Sequence, residues 1–306
     1  MSWTAEQMPD LKAKTIIVTG GNSGIGYEAA LQFARKGATV VLACRDPRKA
    51  DTAVAEIRKA APASTVEARS LDLASLESVR RFAQEISAAH NRVDVLCNNA
   101  GVMAIPYSRT AEGFEMQLGT NHLGHFALTG LLLPRLLAAP EARVVNVSSG
   151  AHRMGRIRFD DLQGERRYRK WSAYGQSKLA NLLFTFELQR RLEAAGASAI
   201  SVACHPGYAA TNLQYVGPRM QKSSFLESVM DLGNRLFAQN AAMGALPTLY
   251  ASAADVRGGQ YIGPDGFGEL QGHPKVVACS AAARDRETAR RLWTVSEELT
   301  GVKFAV

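Results

Sequence analysis

The segment T-G-G-N-S-G-I-G, residues 19–26, has the residue types and spacing of a phosphate-binding loop. Gly20, Gly24 and Gly26 permit a tight turn, close approach of the backbone to a ligand, and close packing of helix on strand. The segment follows a short β-branched run and precedes a helical pattern, so free N–H groups at the helix N-terminus would face a bound pyrophosphate. This arrangement predicts a dinucleotide site, and a glycine-rich turn without a ligand is the alternative.

The residues at the end of the second predicted strand indicate which dinucleotide binds. An NAD site usually has an acid here that binds the ribose 2′-OH. This sequence has Cys44 followed by Arg45, with Arg48 and Lys49 one turn on. Because a guanidinium can bind a 2′-phosphate through charge-assisted hydrogen bonds, NADP(H) is favoured over NAD(H), although an ordinary surface arginine would look the same. Asp72, in S-L-D-L, is predicted to meet the adenine ring or to cap the next helix.

Tyr174 and Lys178 form a second pair whose spacing suggests chemistry. They lie in S-A-Y-G-Q-S-K, where a run rich in alanine, leucine and phenylalanine indicates a buried helix. A separation of four residues places the phenol and the ammonium on one helix face, one turn apart. A packed tyrosine beside a lysine that reaches the solvent has the same spacing, so the pair alone does not establish a function.

Short β-branched runs alternate with longer alanine-rich helical patterns from Thr15 onward. The predicted strands are T-I-I-V-T, T-V-V-L-A, T-V-E-A-R-S, V-D-V-L-C, R-V-V-N-V and A-I-S-V-A-C, which begin near residues 15, 39, 65, 93, 143 and 197. Several are apolar on both faces, as strands buried between two helical layers are. The alternation predicts an α/β fold, a Rossmann-type doubly wound parallel sheet flanked by helices. No Pro/Gly-rich linker divides the chain, so residues 1–306 are expected to form a single domain.

The composition is typical of a soluble cytosolic protein. The 306 residues are 46% hydrophobic, enough for a sizeable core, and the four cysteines lie far apart without metal-ligand spacing, so we predict reduced thiols and no metal site. The N-terminus lacks the apolar core of a signal peptide. Gln239, Asn240 and Pro247 interrupt the apolar run over 236–254, which favours a buried helix over a membrane span. We expect a cytoplasmic location and no integral membrane segment.

The net charge of +8 raises the hypothesis of nucleic-acid binding. Half of the excess lies in residues 151–172, which hold seven basic and three acidic residues. This clustering in one irregular segment argues against a basic stripe along a binding face. We therefore expect a solvated loop there and no nucleic-acid partner.

A set of short motifs runs along nearly the whole chain. They are T-G-G-N-S-G-I-G, A-C-R-D, L-D-L, N-N-A-G (98–101), N-H-L-G-H-F (121–126), V-N-V-S-S (145–149), F-D-D-L (159–162), A-Y-G-Q-S-K-L-A-N (173–181) and H-P-G-Y-A-A-T (205–211). The tail R-L-W-T-V-S-E-E-L-T-G-V (291–302) follows them. In kind and order these motifs resemble those of the short-chain dehydrogenase/reductases, in the branch of the retinol dehydrogenases and WW-domain oxidoreductases.

The resemblance implies an alcohol dehydrogenase or carbonyl reductase that moves a hydride between nicotinamide and a carbonyl carbon. It implies that Tyr174 is the general acid/base, that Lys178 favours its phenolate and holds the nicotinamide ribose, and that Ser149 hydrogen-bonds the substrate oxygen. It also implies that Asn121 holds a water that links Lys178 to the solvent. The other cofactor contacts carried over with the motifs are Asn22, Ser23, Ile25, Leu73, Asn98, Ala100, Gly101, Pro206, Gly207 and Thr211.

The segment between Ser149 and Tyr174 departs from the family's usual pattern. It has 24 residues, more than in many short-chain dehydrogenases, so we expect a reshaped pocket mouth. The sequence has no counterpart of the N-terminal membrane helix of several animal members. That difference argues against a lipid-embedded retinoid as the substrate.

Residues 208–240 are predicted to be a mobile substrate lid. Their apolar side chains favour a bulky apolar alcohol or carbonyl as substrate; they include Leu213, Tyr215, Val216, Met220 and Phe225. The alternative function is an NADP(H)-binding sensor with little turnover, which would need Arg45 but not Tyr174. Helical patterns over 110–139 and 174–195 could pair two chains or lie in the core, so a homo-oligomer is left open.

Overall fold

The computed structural model describes residues 2–208 and 239–306. Within these residues, one sheet of eight strands has the order β3-β2-β1-β4-β5-β6-β7-β8. The strands are β1 (Thr15–Thr19), β2 (Thr39–Cys44), β3 (Thr65–Ser70), β4 (Val95–Asn98), β5 (Arg143–Val147), β6 (Ile200–Cys204), β7 (Tyr261–Pro264) and β8 (Pro274–Val276). Strands β1 to β7 pair in parallel, and β8 pairs antiparallel to β7. The predicted doubly wound parallel sheet is confirmed, with an antiparallel strand added at one edge.

Helices pack on both faces of this sheet. They are α1 (Gly24–Arg35), α2 (Pro47–Ala60), α3 (Leu76–Ala89), the short α4 (Met116–Leu118), α5 (Gly124–Leu137), α6 (Lys170–Ala194), α7 (Ala241–Ala253) and α8 (Arg286–Thr300). A π turn (Gly119–Leu123) separates α4 from α5. Single 3-10 turns occupy Ala5–Gln7, Gly150–Met154, Phe159–Asp161, Phe267–Glu269 and Ala281–Arg284. In the described parts of the chain, no helix combines the length and apolar character needed to cross a membrane.

Two apolar cores lie on opposite faces of the sheet. One joins the sheet to α3, α5, α6 and α8, and the other joins it to α1, α2 and α7. Successive strand residues alternate between the cores, so Ile17 belongs to the first core while Ile16 and Val18 belong to the second. Strands that serve both cores must be apolar on both faces, which is why uninterrupted apolar runs predicted them correctly.

Because β1 to β7 are parallel, their carboxyl ends lie along one edge of the sheet. The strand order reverses between β1 and β4, which opens a crevice between the loops that follow these two strands. The segments that follow β1 to β6 carry most of the predicted site residues that the structure describes. Asn98 lies in β4 itself, Asn121 lies in the π turn, and Tyr174 and Lys178 lie on α6.

The segment 151–172 exposes five of its seven basic residues, as the predicted solvated loop requires, but it is also fixed to the rest of the structure. The segment folds around the buried carboxylate of Asp161, which accepts hydrogen bonds from the backbone of Arg166 and Arg167 and pairs with Arg158 at 2.7 Å. The backbone N–H of Arg158 also donates to Gln176 on α6 at 2.9 Å. The basic side chains of this segment are therefore partly engaged by acidic ones, and the segment is fixed to the helix that carries Tyr174.

Candidate active site

The glycine-rich loop joins β1 to α1 in a conformation that its glycines permit. Gly20 has a φ of +67°, and a Cβ at this position would lie 3.1 Å from the Cβ of Ala100. At Gly26, a Cβ would lie 2.5 Å from the carbonyl oxygen of Gly20 and 2.5 Å from Nδ2 of Asn99. Ser23, the residue that precedes α1, makes no side-chain capping bond, so its side chain leaves the first N–H groups of the helix open to a ligand. These groups fit a pyrophosphate.

Thr19 ties the glycine-rich loop to the N-N-A-G loop on the other side of the crevice. Its Oγ1 accepts hydrogen bonds from the backbone N–H groups of Asn99 and Ala100, each at 2.9 Å. Oγ1 also lies 2.9 Å from Nε2 of His125, whose Nδ1 lies 3.1 Å from the carbonyl oxygen of Asn121. Burial lowers the pKa of His125 to about 4, so this connection is made by a neutral ring.

Among the described residues, the carboxylate nearest in sequence to the end of β2 is already engaged. The backbone N–H groups of Gly21 and Asn22 donate to the Cys44 thiol, and burial raises its pKa to about 11. The carboxylate of Asp46 is engaged as the cap of α2, where it accepts from the N–H groups of Arg48 and Lys49. Arg45 is exposed, and within the described chain its guanidinium has no partner.

Asp72 stabilises the turn before α3, but it does not cap that helix as one of the two predictions for it proposed. Its Oδ1 accepts from the backbone N–H of Ala74 at 2.9 Å, while Ser75 caps α3 itself. A Cβ at Gly124 would lie 2.5 Å from the carbonyl oxygen of Leu73, so the L-D-L turn lies against the start of α5. The predicted contact of Asp72 with adenine stays a prediction.

The predicted catalytic side chains meet beneath the carboxyl end of β5. Tyr174 is 5% exposed and Lys178 is 3% exposed, and the ammonium nitrogen lies 5.7 Å from the centre of the phenol ring. Ser149 forms a hydrogen bond with the Tyr174 side chain. Its Oγ also accepts from the N–H of Ala151 at 3.2 Å, so Ser149 both caps a turn and contacts the phenol.

Burial controls the protonation of this pair in the free protein. It raises the pKa of Tyr174 to about 12, although the hydrogen bond to Ser149 opposes this effect, and it lowers the pKa of Lys178 to about 8. The pKa of Tyr174 in the free protein is therefore raised, whereas the resemblance implied that Lys178 would favour the phenolate. At pH 7 the phenol is neutral and the ammonium is mostly charged.

The Lys178 ammonium does not use all of its hydrogen-bond donors within the described residues. Its Nζ donates to the carbonyl oxygen of Val147 at 3.1 Å, and no other described residue accepts from it. An ammonium carries three hydrogens, so two remain for a ligand. A Cβ at Gly101 would lie 3.7 Å from Nζ, so the N-N-A-G loop passes close to this cation.

Asn121 lies in the π turn, an irregularity that is frequent at functional sites. Its Oδ1 accepts from the N–H of Val102 at 2.8 Å, and its Nδ2 donates to the Val102 carbonyl and to Ser177 Oγ, each at 2.9 Å. Ser177 Oγ in turn donates to the Tyr174 carbonyl at 2.8 Å. Both amide hydrogens of Asn121 are thus used to fix the loop after β4 to α6, and the predicted water link stays a prediction.

The predicted cofactor contacts differ in their exposure to the crevice. Asn98 is 1% exposed and its Nδ2 donates to Thr129 and Asn146 at 3.0 and 2.8 Å, so its side chain lies inside the sheet. Any contact of Asn98 with a ligand would therefore use the backbone. Pro206 and Gly207 follow β6, whereas Thr211 and residues 209–238 of the predicted lid lie outside the described residues.

Sequence reasoning missed several residues that hold the site together. They are Thr19, Asn99, His125, His152, His205 and Glu269. The motifs N-N-A-G, N-H-L-G-H-F and H-P-G contain three of them, but nothing in a linear pattern shows which side chain turns toward which loop.

The comparisons with known proteins agree with this geometry. The family profile described as short chain dehydrogenase matches residues 14–221. Retinol dehydrogenase 12 of Mus musculus is 43% identical over 297 residues, which cover 96% of this chain and 88% of the relative. Retinol dehydrogenase 13 of Homo sapiens is 44% identical over 298 residues, which cover 96% of this chain and 86% of the relative.

Solved structures show the same fold. An uncharacterised protein from Mycobacterium paratuberculosis has a TM-score of 0.83 and 46% identity, with 100% of both chains covered. A short chain dehydrogenase from Shigella flexneri, complexed with NADP, has a TM-score of 0.64 and 24% identity over 83% of this chain and 98% of its own. The chain belongs to the short-chain dehydrogenase family, in its retinol dehydrogenase-like branch. It is therefore an oxidoreductase of the class that interconverts alcohols and carbonyls with a nicotinamide cofactor.

Proposed function

We propose that the protein is an NADP(H)-dependent oxidoreductase that interconverts a bulky apolar alcohol and its carbonyl, with Tyr174 as the general acid/base. The observation that supports this most is the buried Lys178 ammonium beside Tyr174. Lysines are almost never fully buried unless paired, and within the described residues no carboxylate pairs with this one. A buried cation next to a buried phenol and a serine hydroxyl has no evident structural purpose, whereas proton transfer requires such a group.

The residues of the crevice fit a nicotinamide dinucleotide along its length. The first N–H groups of α1 would bind the pyrophosphate, Arg45 the 2′-phosphate, and the two remaining Lys178 hydrogens the ribose hydroxyls next to the nicotinamide. Pro206, Gly207 and Thr211 are proposed to contact the nicotinamide end. When bound, the nicotinamide would supply or accept the hydride.

The described side chains would handle the proton. Neutral Tyr174 donates its O–H proton to the substrate oxygen during reduction and takes it back during oxidation. Ser149 donates a hydrogen bond to the same oxygen and so orients the substrate beside the phenol. Charged Lys178 stabilises the phenolate that reduction leaves behind.

Apolar side chains next to the phenol support a bulky apolar substrate. Trp171 is 47% exposed, and its ring centre lies 6.2 Å from that of Tyr174. Met154 is 62% exposed, and its Cγ would lie 3.1 Å from a Cβ at Gly175. The relatives above are named for retinol, an alcohol of this kind.

A panel of ketones, aldehydes and alcohols, followed by NADPH absorbance, tests the proposal. On any substrate that is turned over, Tyr174→Phe should keep the fold and NADP⁺ binding but reduce kcat by about 10² to 10⁴, the usual contribution of a general acid/base. Tyr250→Phe is a matched control, because Tyr250 lies on α7, where its ring packs on Trp3, and phenylalanine keeps this ring contact. If Tyr174→Phe kept more than about a tenth of the activity, the assignment of Tyr174 would be wrong.

A further inference from the structure

The carboxylate of Glu269 bridges two segments that carry opposite sides of the candidate site. Its two oxygens accept from the Arg153 guanidinium at 3.1 and 3.2 Å, and Oε2 lies 3.1 Å from Nε2 of His205. Arg153 lies four residues after Ser149, and His205 directly precedes Pro206 and Gly207. One side chain therefore connects the serine segment to the turn proposed to contact the nicotinamide.

His205 can take only one orientation in this bridge. Its Nδ1 accepts from the backbone N–H of Gly207 at 3.3 Å, so the proton of the neutral ring is on Nε2 and is donated to Glu269. The ring is 2% exposed, and a Cβ at Gly263 would overlap Nε2. Glycine at position 263 thus leaves the space in which the imidazole reaches the carboxylate.

His152 fixes the other end of the bridge. Its ring is fully buried, its Nδ1 lies 2.7 Å from the carbonyl oxygen of Ser149, and its Nε2 accepts from the N–H of Ser280 at 3.1 Å. Nδ1 therefore carries the proton and donates it to Ser149. This bond holds the serine backbone next to Arg153, the residue that reaches Glu269.

The backbone of Glu269 has a conformation that disfavours residues with a side chain. Its φ is +59°, in the left-handed region that glycine usually occupies. The next residue, Leu270, accepts from the Tyr208 N–H at 2.7 Å, and a Cβ at Gly207 would overlap the Leu270 carbonyl oxygen. A glutamate in place of glycine here indicates that its side chain has a role, as strained residues at functional sites often do.

We propose that Glu269 is a positioning residue, which through Arg153 and His205 sets the distance between Ser149 and the Pro206–Gly207 turn. The inference rests on the proposed function, since these two elements hold the substrate oxygen and the nicotinamide. Glu269 touches neither the reacting atoms nor the adenosine half of the cofactor site. Substitution of Glu269 should therefore weaken binding of the nicotinamide half of the cofactor only.

The test compares the binding of NADP⁺ with that of 2′,5′-ADP, a fragment that lacks the nicotinamide and its ribose. In Glu269→Gln the new amide must place an N–H donor against the N–H of His205 or of Arg153, while size and shape are kept. We expect NADP⁺ affinity to fall about tenfold and 2′,5′-ADP affinity to change less than about twofold, measured by calorimetry. Arg153→Met should have the same effect, and the double variant should be no worse than either single variant.

Glu67 provides a matched control. Its carboxylate also bridges a histidine and an arginine, His90 and Arg69, each at 3.0 Å, but on the edge strand β3. Glu67→Gln should change neither affinity. Equal losses of NADP⁺ and 2′,5′-ADP binding in Glu269→Gln would show a general structural role, and unchanged NADP⁺ affinity would show no role; either result overturns the proposal.

Amide hydrogen exchange without ligand separates this inference from the proposed function. Glu269→Gln should exchange faster than Glu67→Gln at residues 149–154 and 205–208. If the wild-type protein bound neither ligand, the proposed function would fail, and exchange alone would decide the role of Glu269. Unchanged exchange at both segments would then refute it.

Discussion

The ammonium of Lys178 is the side chain whose burial most needs an explanation. Removing a cation from water is unfavourable by several kcal/mol unless it gains partners, and in the described structure it gains one carbonyl. Its environment lowers its pKa only to about 8, so it keeps its charge at neutral pH. Two N–H donors of this buried ammonium have no acceptor among the described residues. Such a site is suited to a polar ligand that binds reversibly.

The pKa values of Tyr174 and Lys178 predict opposite pH dependences for the two directions of reaction. Reduction needs the neutral phenol and the charged ammonium, so its kcat/KM should be constant near pH 7 and fall above about pH 8, where Lys178 loses its proton. Oxidation needs the phenolate, which is scarce at pH 7 because burial raises the Tyr174 pKa to about 12, so its kcat/KM should rise with pH over the same range. Initial rates between pH 6 and 9 in both directions test this.

Lys178→Arg is the informative variant for this pH profile. A guanidinium does not titrate in this range, so the decline of reduction near pH 8 should move upward even if the overall rate is lower. If the decline in the rate of reduction stayed near pH 8, it would be caused by a group other than Lys178.

Arg45 is expected to set the cofactor preference. In Arg45→Ala, NADPH affinity should fall by about tenfold or more while NADH affinity stays the same, since only the 2′-phosphate loses a charge-assisted partner. Titration at low salt avoids screening of this exposed charge. Arg81→Ala, which removes an exposed arginine of α3, should leave the preference unchanged, and an unchanged preference in Arg45→Ala would contradict the NADP(H) assignment.

The packing of α5 depends on one small residue. A Cβ at Gly130 would lie 2.7 Å from Cε2 of Phe304 and 2.7 Å from Cγ1 of Val302. Glycine inside a helix is less stable than alanine by about 1 kcal/mol, so its presence here is explained by the space that it leaves for the C-terminal segment.

Gly130→Val should therefore reduce the free energy of unfolding by about 1–3 kcal/mol through overpacking, measured by urea denaturation. The matched experiment is a double-mutant cycle with Phe304→Ala, which removes the ring that would clash with the valine side chain. The double variant should lose less stability than the sum of the single variants. Additive losses would mean that the two residues do not interact.

Elements were predictable from the sequence where local pattern and tertiary burial agree. Strands β1, β2, β3 and β5 begin at the predicted residues, because two or more β-branched residues lie within the first three positions of each, although β3 and β5 also contain charged and polar residues. Strands β7 and β8 were missed, since they are four and three residues long and contain Gly263, Pro264 and Pro274, which normally indicate turns. Ser149, Tyr174 and Lys178 were singled out by the resemblance of their motifs to those of a known family, and the structure brings them together. The Glu269 bridge joins three distant segments and has no linear signature.

The described residues are organised around one sheet that both cores share, and we propose that the chain acts as a single domain. The outer side of α5 and α6 is covered by α8 and the C-terminal segment. There the Trp293 and Phe304 ring centres lie 4.5 Å apart, and Phe126 and Phe184 lie 4.8 and 5.8 Å from Phe304 and Trp293 respectively. This aromatic cover occupies a face that the sequence left open as a surface for pairing two chains.

We therefore expect that two chains do not associate through the covered face of α5 and α6. Sedimentation of the wild-type protein, with cross-linking to locate any contact, tests this. Trp293→Ala opens the face and should increase self-association, because it exposes the rings of Phe126 and Phe184. A wild-type dimer with cross-links between the two copies of α5 or α6 would contradict the expectation.

The aromatic cover also has a consequence for the chain during its synthesis. Phe304 follows Phe184 in the sequence by 120 residues. At a translation rate of about 5–20 residues per second, the ribosome needs about 6 to 24 seconds to make that stretch. For most of this interval the nascent chain has α5 and α6 but not Trp293 and Phe304, the rings that cover them. The newly made protein is therefore most prone to aggregate, and most in need of a chaperone, just before its last twenty or so residues emerge.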